Sequence, residues 1–384
     1  MRLLPDTTNA LYAPAAAPGG AAHILFRREN TLMAQPFDAA SLKTTGEMIP
    51  VAEEVPNGGN TGFGAFSVAE NGVLAFRSGG LASSRELVWI DRAGKRGAAV
   101  GKPGDFQTIA VSPDERTVAV SIGNGSQSDI WLQDLARGVL TRFTFSSGIA
   151  RNPVWSPDGS HLAFALQGLG SYSADIYRKP VGGNDREELL LHSGINGYPL
   201  DWSPDGKWIV YQQTARKTGL DLLLLPMNGE RKPIMYLQTP FDEQAAHVSP
   251  DGRWMAYHSN ESGRNQVYVQ SVPPSGTKYQ ISASGGVAPQ WRPDGKELFY
   301  VSTDQKLMAV PIKLGATVDA GTPLPLFPLP ATGAAVSTGT AFSYAPARDG
   351  QRFLVNVPAG GESASVPKIT IVTNWDRALA PQSH

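Results

Sequence analysis

The chain contains no cysteine and no long apolar run. With no Cys among 384 residues, disulfide bridges, Cys-ligated zinc and thiol nucleophiles are excluded, and the redox compartment stays open. No stretch approaches the roughly 18 consecutive apolar residues of a membrane span. The N-terminal segment MRLLPDTTNALYAPAAAPGG is interrupted by Pro5, Asp6 and Asn9. We therefore expect neither a signal peptide nor direct membrane insertion.

The chain also lacks an excess of charge of either sign. Lys and Arg together number 33, Asp and Glu number 34, and the net charge is -1. This balance argues against a nucleic-acid partner and against a large basic surface that would bind an anionic membrane. Apolar residues make up 41% and charged residues 17%, which predicts a folded core. The 41 Gly and 30 Pro residues are typical of a chain with many tight turns.

One turn motif recurs along the chain, in the segments VWSPDGSHLAF, DWSPDGKWIVY, HVSPDGRWMAY and QWRPDGKELFY. The aspartates of this motif and of its weaker copies are Asp114, Asp158, Asp205, Asp251, Asp294 and Asp349. Their successive spacings are 44, 47, 46, 43 and 55 residues. A period of about 45 residues is that of a β-propeller blade with four antiparallel strands.

Each period contains four strand-like segments, which we name a to d. The short apolar segment a precedes the turn, in which Pro presets φ and Gly closes the turn. Segment b alternates apolar and polar residues, as in HLAFAL and WIVYQQ, and segments c and d follow after a polar loop. In a propeller the a–b and c–d turns share one face, which we call the turn face. The b–c and d–a loops share the opposite face, the loop face.

The sequence favours eight blades in one all-β domain that spans residues 1–384. The first two repeats lack the Pro-Asp-Gly turn, so rings of six or seven blades stay open as alternatives. The expected blades are 9–55, 62–100, 104–145, 148–191, 194–237, 241–282, 285–327 and 340–376. The last repeat has no convincing segment d, whereas MRLLP at residues 1–5 resembles an orphan one. We therefore expect the strand 1–5 to complete the last blade and to remove a free sheet edge.

The turns and the phrases around them resemble a known family. The WSPDG turns followed by an apolar residue, Ala and an aromatic residue resemble the propellers of TolB and its relatives. The longer phrases LVWIDRAGKR, SDIWLQDLARG and SPDGRWMAYHSNESGRNQVYVQ resemble the C-terminal sensor propeller of bacterial transmembrane Ser/Thr protein kinases. The resemblance covers essentially the whole chain and implies an extracytoplasmic binding or sensor propeller. The missing signal peptide implies the cytoplasm instead, if the chain is complete.

Catalytic motifs are missing from the sequence. It contains no Gly-rich phosphate loop, HRD or DFG of a kinase and no G-x-S-x-G elbow of a hydrolase, so we expect a non-catalytic chain. The six histidines never approach H-x-x-x-H spacing, and we expect neither a metal nor another cofactor. His247 and His258 are interpreted as core or surface residues. A channel-mouth lyase or glycan hydrolase that uses Asp242, Glu243 and His247 is the alternative, and an assembly scaffold is a third.

Three sets of residues recur at matching positions in the repeats. The turn aspartates are interpreted as structural acceptors of backbone N–H groups rather than as calcium ligands. The aspartates that open segment c are interpreted as strand-entry residues rather than as a binding ring; they are Asp129, Asp175 and Asp221. The tryptophans before the turn are expected to pack between blades; they are Trp155, Trp202 and Trp291.

Recognition is expected on the loop face, where loop composition varies on a uniform scaffold. We expect a protein or peptide partner there, or a small ligand. The candidate contacts lie just before or within segment a and are Phe106, Arg151, Tyr198, Asp242, Glu243 and Gln290. The segment PATGAAVSTGT from Pro330 is expected to be a flexible flap or a long loop.

Overall fold

The computed structural model describes an all-β chain. The described residues are 9–15, 20–28, 31–53, 55, 64–78, 84–124, 127–171, 173–183, 186–215, 217–329, 343–359 and 368–376. Thirty-three strands lie in these ranges. The chain divides into two compact units. The first unit consists of Met1–Ser83 and Ser363–His384, and the second unit is Ser84–Glu362.

The first unit contains two antiparallel sheets. The strands of one are β1 (Ala10–Ala13), β2 (His23–Arg28), β3 (Thr31–Asp38), β4 (Lys43–Thr44) and β5 (Ile49–Ala52). The strands of the other are β6 (Phe66–Val68), β7 (Val73–Ser78) and β33 (Lys368–Thr373). Their orders are β1-β2-β3-β4, with β5 on β3, and β33-β7-β6. Leu32, Leu74 and Trp375 share one buried cluster, so both segments of the unit contribute to this core.

Five successive repeats of the second unit each fold as an antiparallel meander. The first meander consists of β10 (Phe106–Val111), β11 (Thr117–Asn124), β12 (Gln127–Asp134) and β13 (Leu140–Arg142), and the second of β14 (Ile149–Trp155), β15 (His161–Gln167), β16 (Asp175–Pro180) and β17 (Glu188–Leu191). The third consists of β18 (Gly197–Trp202), β19 (Trp208–Ala215), β20 (Gly219–Pro226) and β21 (Ile234–Leu237), and the fourth of β22 (Glu243–Val248), β23 (Trp254–Ser259), β24 (Gln266–Ser271) and β25 (Lys278–Gln280). The fifth consists of β26 (Val287–Trp291), β27 (Glu297–Val301), β28 (Lys306–Leu314), β29 (Val318–Ala320) and β30 (Leu324–Pro328). One parallel bridge, Ser128 to Ile149, joins β12 to β14, so the first two meanders form an eight-stranded sheet.

The remaining sheet of the second unit joins distant parts of the chain, and we call it the split sheet. Its strands are β31 (Tyr344–Pro346), β32 (Arg352–Pro358), β8 (Arg85–Asp91) and β9 (Arg96–Gly104), in that order. β32 pairs antiparallel with β8, and Val355 lies opposite Val88. Both valines are buried, so a shift by one residue would turn them to the wrong side of the sheet.

This pairing differs from the expected blades 62–100 and 340–376. β6 and β7 pair with β33, whereas β8 and β9 join β31 and β32, so the two expected blades exchange halves. Both repeats carry the same order of strand-like segments, and periodicity within a segment does not identify its partner. Ile369–Val372 is paired along β7. The segment 1–5, which was expected to complete the last blade, and the flap from Pro330 lie outside the described residues.

Apolar clusters lie between consecutive sheets of the second unit. Leu222 and Met255 belong to the cluster between the β18–β21 and β22–β25 sheets. Phe299 and Phe353 belong to the cluster between the β26–β30 sheet and the split sheet, and their rings meet edge to face at 4.9 Å. The first strands β10, β14, β18, β22, β26 and β31 contact one another in sequence, and β31 contacts β10. Apolar packing of neighbouring sheets therefore forms the core of this unit.

The tryptophans before the turns pack between sheets, as predicted. Trp155 donates its ring N–H to the Ala110 carbonyl of the preceding meander at 2.8 Å. Trp291 donates in the same way to the His247 carbonyl at 3.0 Å. The ring N–H of Trp202 instead bonds within its own turn at 3.3 Å, while its ring joins the cluster of the preceding sheet. These hydrogen bonds satisfy buried indole donors that would otherwise be costly.

The turn aspartates accept hydrogen bonds inside their own turns. Asp158 accepts from the Ser156 hydroxyl at 2.6 Å and from the Ser160 backbone at 3.0 Å. These bonds, with that of the Ser156 hydroxyl the strongest, lower the pKa of Asp158 to about 2. The same serine and backbone bonds occur at Asp114, Asp205 and Asp251, and the backbone bond alone at Asp294 and Asp349. Each of these carboxylates therefore accepts at least one hydrogen bond within its own turn.

Candidate binding site on the loop face

A polar pocket lies on the loop face of the second unit, between the β18–β21 and β22–β25 sheets. Its volume is about 450 Å³. The hairpin between β19 and β20, the connection from β21 to β22 and the loop between β23 and β24 form its walls. The lining residues are Ala215, Lys217, Thr218, Gly219, Pro240, Phe241, Asp242, Asn260 and Gly263. All three walls are b–c or d–a loops, where the sequence predicted recognition.

Hydrogen bonds from two sheets hold Asp242 in this pocket. The Asp242 backbone N–H donates to Asn260 Oδ1 at 3.0 Å, and the Asn260 amide donates to Asp242 Oδ2 at 3.1 Å. The Leu220 backbone N–H donates to Asp242 Oδ1 at 3.1 Å. Because these bonds come from fixed backbone and a neighbouring loop, the carboxylate is positioned before any ligand arrives.

Gly219 permits this close packing around Asp242. Its φ is +88°, in the left-handed region that favours glycine. A Cβ at this position would lie 2.5 Å from Asp242 Oδ1, much closer than two non-bonded atoms approach. Any larger residue would therefore displace the Asp242 carboxylate or the hairpin that carries Thr218.

Glu243 follows Asp242 in the chain but is buried beneath the loop surface, with 1% of its area exposed. Its Oε1 accepts hydrogen bonds from the Thr239 hydroxyl and, at 3.4 Å, from Ser259. Within the described part of the chain, Oε2 has no hydrogen-bond partner. Burial raises the pKa of Glu243 to about 7, although the hydrogen bond from Thr239 lowers it. The nearby charge of Asp221 adds to the increase. Glu243 is therefore an internal group that titrates near neutrality.

The aspartates that open segment c connect it to segment d. Asp129 accepts from the Thr144 hydroxyl at 2.8 Å. Asp221 is 2% exposed and accepts from the Gln238 amide at 2.8 Å. Asp175 accepts from a backbone N–H of the chain that follows its own strand d, at 3.0 Å. Each carboxylate thus ties two strands of its own sheet, which agrees with the strand-entry interpretation.

The predicted contacts outside the pocket have other surroundings. Phe106 is 1% exposed in an apolar cluster, so its side chain does not reach a partner on the loop face. Gln290 donates to the Tyr344 carbonyl at 2.6 Å and bridges two first strands. Arg151 and Tyr198 are half-buried in β14 and β18, and neither lines the pocket. Repeat position alone placed all of these at a channel mouth, whereas the local pleat decides where each side chain points.

Of the six predicted contacts, Asp242 is the one that lines this pocket. The sequence analysis missed exposed apolar side chains in nearby loops. Ile195 is 41% exposed, Phe241 is 40% exposed and Leu169 is 73% exposed. Ile195 and Phe241 stand seven residues before Trp202 and Val248 respectively, and so occupy equivalent positions in successive d–a loops. Aligning the repeats over their loops as well as their strands would have found this pair.

The histidines take structural positions. His258 is 1% exposed, and burial lowers its pKa to about 3, so of the two expected positions, core or surface, it takes the core one. His247 Nδ1 lies 3.6 Å from Asp201 Oδ2. Among the described residues, no group of three or more His, Cys, Asp or Glu side chains is arranged to hold a metal ion. The same ranges contain no helix of the length and apolarity that a membrane crossing requires.

Comparison with known proteins agrees with the fold. Residues 83–232 match the PD40 family, described as the TolB beta propeller domain. This stretch of the chain is therefore similar to a TolB-type propeller domain. The structure of putative TolB from Agrobacterium tumefaciens resembles this chain with a TM-score of 0.56 and 20% identity, over 71% of this chain and 98% of that one. At this identity the similarity concerns the fold alone.

Curated relatives match the chain over shorter stretches. The Tol-Pal system protein TolB of Alcanivorax borkumensis is 42% identical over 57 residues, which are 15% of this chain and 12% of that protein. The Tol-Pal system protein TolB of Helicobacter pylori is 28% identical over 124 residues, which are 32% of this chain and 29% of that protein. The chain therefore matches less than a third of either relative's length. Neither similarity supports the kinase association that the sequence resemblance implied.

Proposed function

We propose that this TolB-like propeller is a non-catalytic binding module that captures a protein or peptide partner on its loop face. The observation that carries the proposal is the exposure of Ile195 and Phe241 at equivalent positions in successive d–a loops, with Leu169 in a neighbouring b–c loop. Large apolar side chains gathered on one face of a protein are typical of interaction surfaces. Aromatic and aliphatic anchors of this kind supply much of the binding energy of protein interfaces.

We also propose that the second unit is a closed ring of six blades, in place of the eight that the sequence favours. In this proposal the split sheet is the closing blade, with its inner strands from the C-terminal segment and its outer strands from the N-terminal one. The contacts of the six first strands in sequence, including that of β31 with β10, support it. So do the apolar clusters on both sides of the split sheet. A closed ring leaves no free sheet edge within the unit and gives the loops a rigid base.

A sensor role in a receptor Ser/Thr kinase is a further proposal, which rests on the phrases around the SPDG turns. It requires a membrane helix and a kinase domain in the same polypeptide. The genomic reading frame upstream of Met1 tests it directly. A kinase domain followed by an apolar helix would support the sensor role, and an upstream stop codon would contradict it.

The geometry does not favour the lyase or hydrolase alternative. Such chemistry needs two carboxyl groups that face one reacting bond. Asp242 lines the pocket, whereas Glu243 is 1% exposed beneath it. Glu243 begins β22 and is buried, whereas Asp242 precedes the strand, so the two carboxyl groups do not share the pocket. We therefore propose binding as the function of this face.

A peptide selection tests the proposed binding face. Peptides selected on the wild-type protein from a phage-displayed random library are measured against the double variant Ile195→Ser with Phe241→Ser. Both side chains are exposed, so the variant is expected to stay folded while it loses about tenfold or more in affinity, or about 1.4 kcal/mol. Thermal unfolding checks that the fold is intact.

The matched control is Leu324→Ser, because Leu324 is 53% exposed on the outer strand β30 and lies away from the loop face. We expect this variant to bind the selected peptides as the wild type does. Equal binding by the wild type and the double variant would remove the loop face from consideration. Equal losses in the double variant and in Leu324→Ser would indicate nonspecific apolar adhesion.

A further inference from the structure

We propose that the pocket around Asp242 and Lys217 binds a zwitterionic α-amino acid with an apolar side chain. The ligand ammonium would face Asp242, its carboxylate would face Lys217, and its side chain would lie against Phe241 and Pro240. This site goes beyond the capture of a protein or peptide partner, and it does not depend on the number of blades.

The pocket wall carries one positive and one negative side chain, which favours a zwitterionic ligand. Lys217 is exposed, and it forms no ion pair with any residue that the structure describes. Asp242 receives its hydrogen bonds from uncharged donors, a backbone N–H of Leu220 and the amide of Asn260. The two charged groups line the same pocket but make no ion pair with each other. The pocket therefore offers one cation and one anion that are separately available.

A ligand with a single charge fits this wall poorly. A purely cationic ligand that approaches Asp242 also meets the ammonium of Lys217. A purely anionic ligand that approaches Lys217 meets the carboxylate of Asp242. A zwitterion satisfies both groups at once with charge-assisted hydrogen bonds, which are about twice as strong as neutral ones. A carboxylate has about four lone-pair sites, so Asp242 can accept from a ligand beside its two existing donors.

One side of the pocket is apolar and can cover an apolar side chain of the ligand. Phe241 is 40% exposed, and with Pro240 it forms an apolar wall beside the charged one. The Phe241 backbone N–H donates to the Thr239 hydroxyl at 3.1 Å, which anchors this loop. The volume of about 450 Å³ lies within the range of small-molecule sites, which is about 300–1,000 Å³. An apolar amino-acid side chain can therefore be covered while both charges of its backbone are paired.

The position of the Asp242 carboxylate restricts which residue can stand beside it in the neighbouring hairpin. The hairpin beside it requires a glycine at position 219, both for its φ of +88° and for the space in front of Asp242 Oδ1. A solvated surface aspartate needs no such accommodation. The preformed position of the carboxylate lowers the ordering cost of binding.

Isothermal titration calorimetry with single amino acids tests the proposal on the full chain. L-Leucine and L-phenylalanine are the probes, with N-acetyl-L-phenylalanine and phenethylamine as analogues that each lack one charge. We expect saturable binding with a Kd in the millimolar range or tighter, and binding at least about tenfold weaker for both analogues. No saturable binding of either amino acid, or binding of either analogue as tight as that of the amino acids, would overturn the proposal.

Two variants locate the binding. Lys217→Gln removes an exposed cation with no ion pair, and Asp242→Asn removes the anion; each is expected to weaken amino-acid binding about tenfold or more. If Asp242→Asn unfolds, Lys217→Gln decides the question by itself, since Lys217 is exposed. The matched control is Lys313→Gln, because Lys313 is 88% exposed on another sheet, and it should bind as the wild type does. Unchanged binding in Lys217→Gln would overturn the proposal.

These results are separable from the peptide experiment. Ile195→Ser removes part of the proposed partner surface without changing a residue that lines the pocket. It should leave amino-acid binding intact and weaken the selected peptides. Loss of amino-acid binding in Ile195→Ser would contradict the assignment of the amino acid to this pocket.

Discussion

Arg92 and Glu297 form a two-pronged ion pair, although 205 residues separate them in the chain. Arg92 Nη1 donates to Glu297 Oε2 at 2.9 Å, and Nη2 donates to Oε1 at 2.8 Å. Nη1 also donates to the Gly350 carbonyl at 3.0 Å. The guanidinium thus connects the β8–β9 turn, the β31–β32 turn and β27. Both strand pairs of the split sheet are thereby attached to the neighbouring β26–β30 sheet.

Replacing Arg92 is expected to destabilise the second unit. Arg92→Met removes two charge-assisted hydrogen bonds to Glu297 and the bond to Gly350, and the partners are only 26% and 14% exposed. We expect the free energy of unfolding to fall by about 2–3 kcal/mol. Urea unfolding followed by tryptophan fluorescence measures this change.

The control for Arg92→Met is Lys313→Met. Lys313 pairs with Asp319 at 3.8 Å, and their side chains are 88% and 75% exposed. Exposed pairs contribute little, so this variant is expected to change stability by less than about 0.5 kcal/mol. Equal effects of the two variants would show that the Arg92 contacts do not stabilise the split sheet.

The buried carboxyl of Glu243 is expected to make stability depend on pH. Its pKa in the folded protein is about 7, against 4.5 for the free side chain, because burial disfavours the charged form. The folded state therefore binds more protons than the unfolded state between these values, and stability falls as pH rises from about 4.5 to 7. Glu243→Gln removes this loss. At about pH 8 the variant should be the more stable protein by on the order of 2–3 kcal/mol, with little difference near pH 4.

Chemical unfolding of the wild type and of Glu243→Gln across this pH range provides the measurement. Glu230→Gln is the control, because Glu230 is exposed in a turn between β20 and β21. Its pH profile should follow that of the wild type. A Glu243→Gln profile parallel to the wild type would show that Glu243 does not titrate in this range.

Alanine substitutions at two glycines of the β18–β21 sheet are expected to distinguish the cost of backbone strain from the cost of a steric clash. Gly219 and Gly229 both have positive φ, +88° and +74°, but only a Cβ at Gly219 would strike Asp242, at 2.5 Å. Gly229→Ala is expected to cost about 1 kcal/mol from its backbone conformation alone. Gly219→Ala should cost more and should also displace the Asp242 carboxylate. Equal costs in thermal unfolding would contradict this account of the hairpin.

The serine of the turn motif is expected to contribute as much as its aspartate. The Ser156 hydroxyl donates to Asp158 at 2.6 Å and accepts from the His161 backbone at 2.9 Å. Ser156→Ala leaves this partly buried N–H without its acceptor and should lower the free energy of unfolding by about 1–2 kcal/mol. Ser275→Ala, at an exposed turn position, is the control for thermal melting. A change of less than about 0.5 kcal/mol in Ser156→Ala would remove the serine from the stabilising part of the motif.

Sequence reasoning recovered the local elements of this protein well. The turns around Asp158 and its equivalents, the alternating strands that follow them and the inter-sheet position of Trp155 are all in the structure. Each of these features depends on residues within one period, so their chemistry is visible in a short segment. The candidate site was recovered less well. Asp242 lines the pocket, but Phe106 is buried, and Ile195 and Phe241 were not anticipated.

Local residue order was enough to set the turns, the strand alternation and the all-β class, because proline, glycine and period-two patterning act over a few residues. Tertiary structure decided that β8 pairs with β32 rather than with β7, since the edge of a strand accepts any partner of suitable register and apolar face. It also decided that loops from two sheets enclose Asp242 and Lys217 in one pocket. Contacts between residues from different repeats depend on how sheets pack, and no periodicity along the chain encodes them.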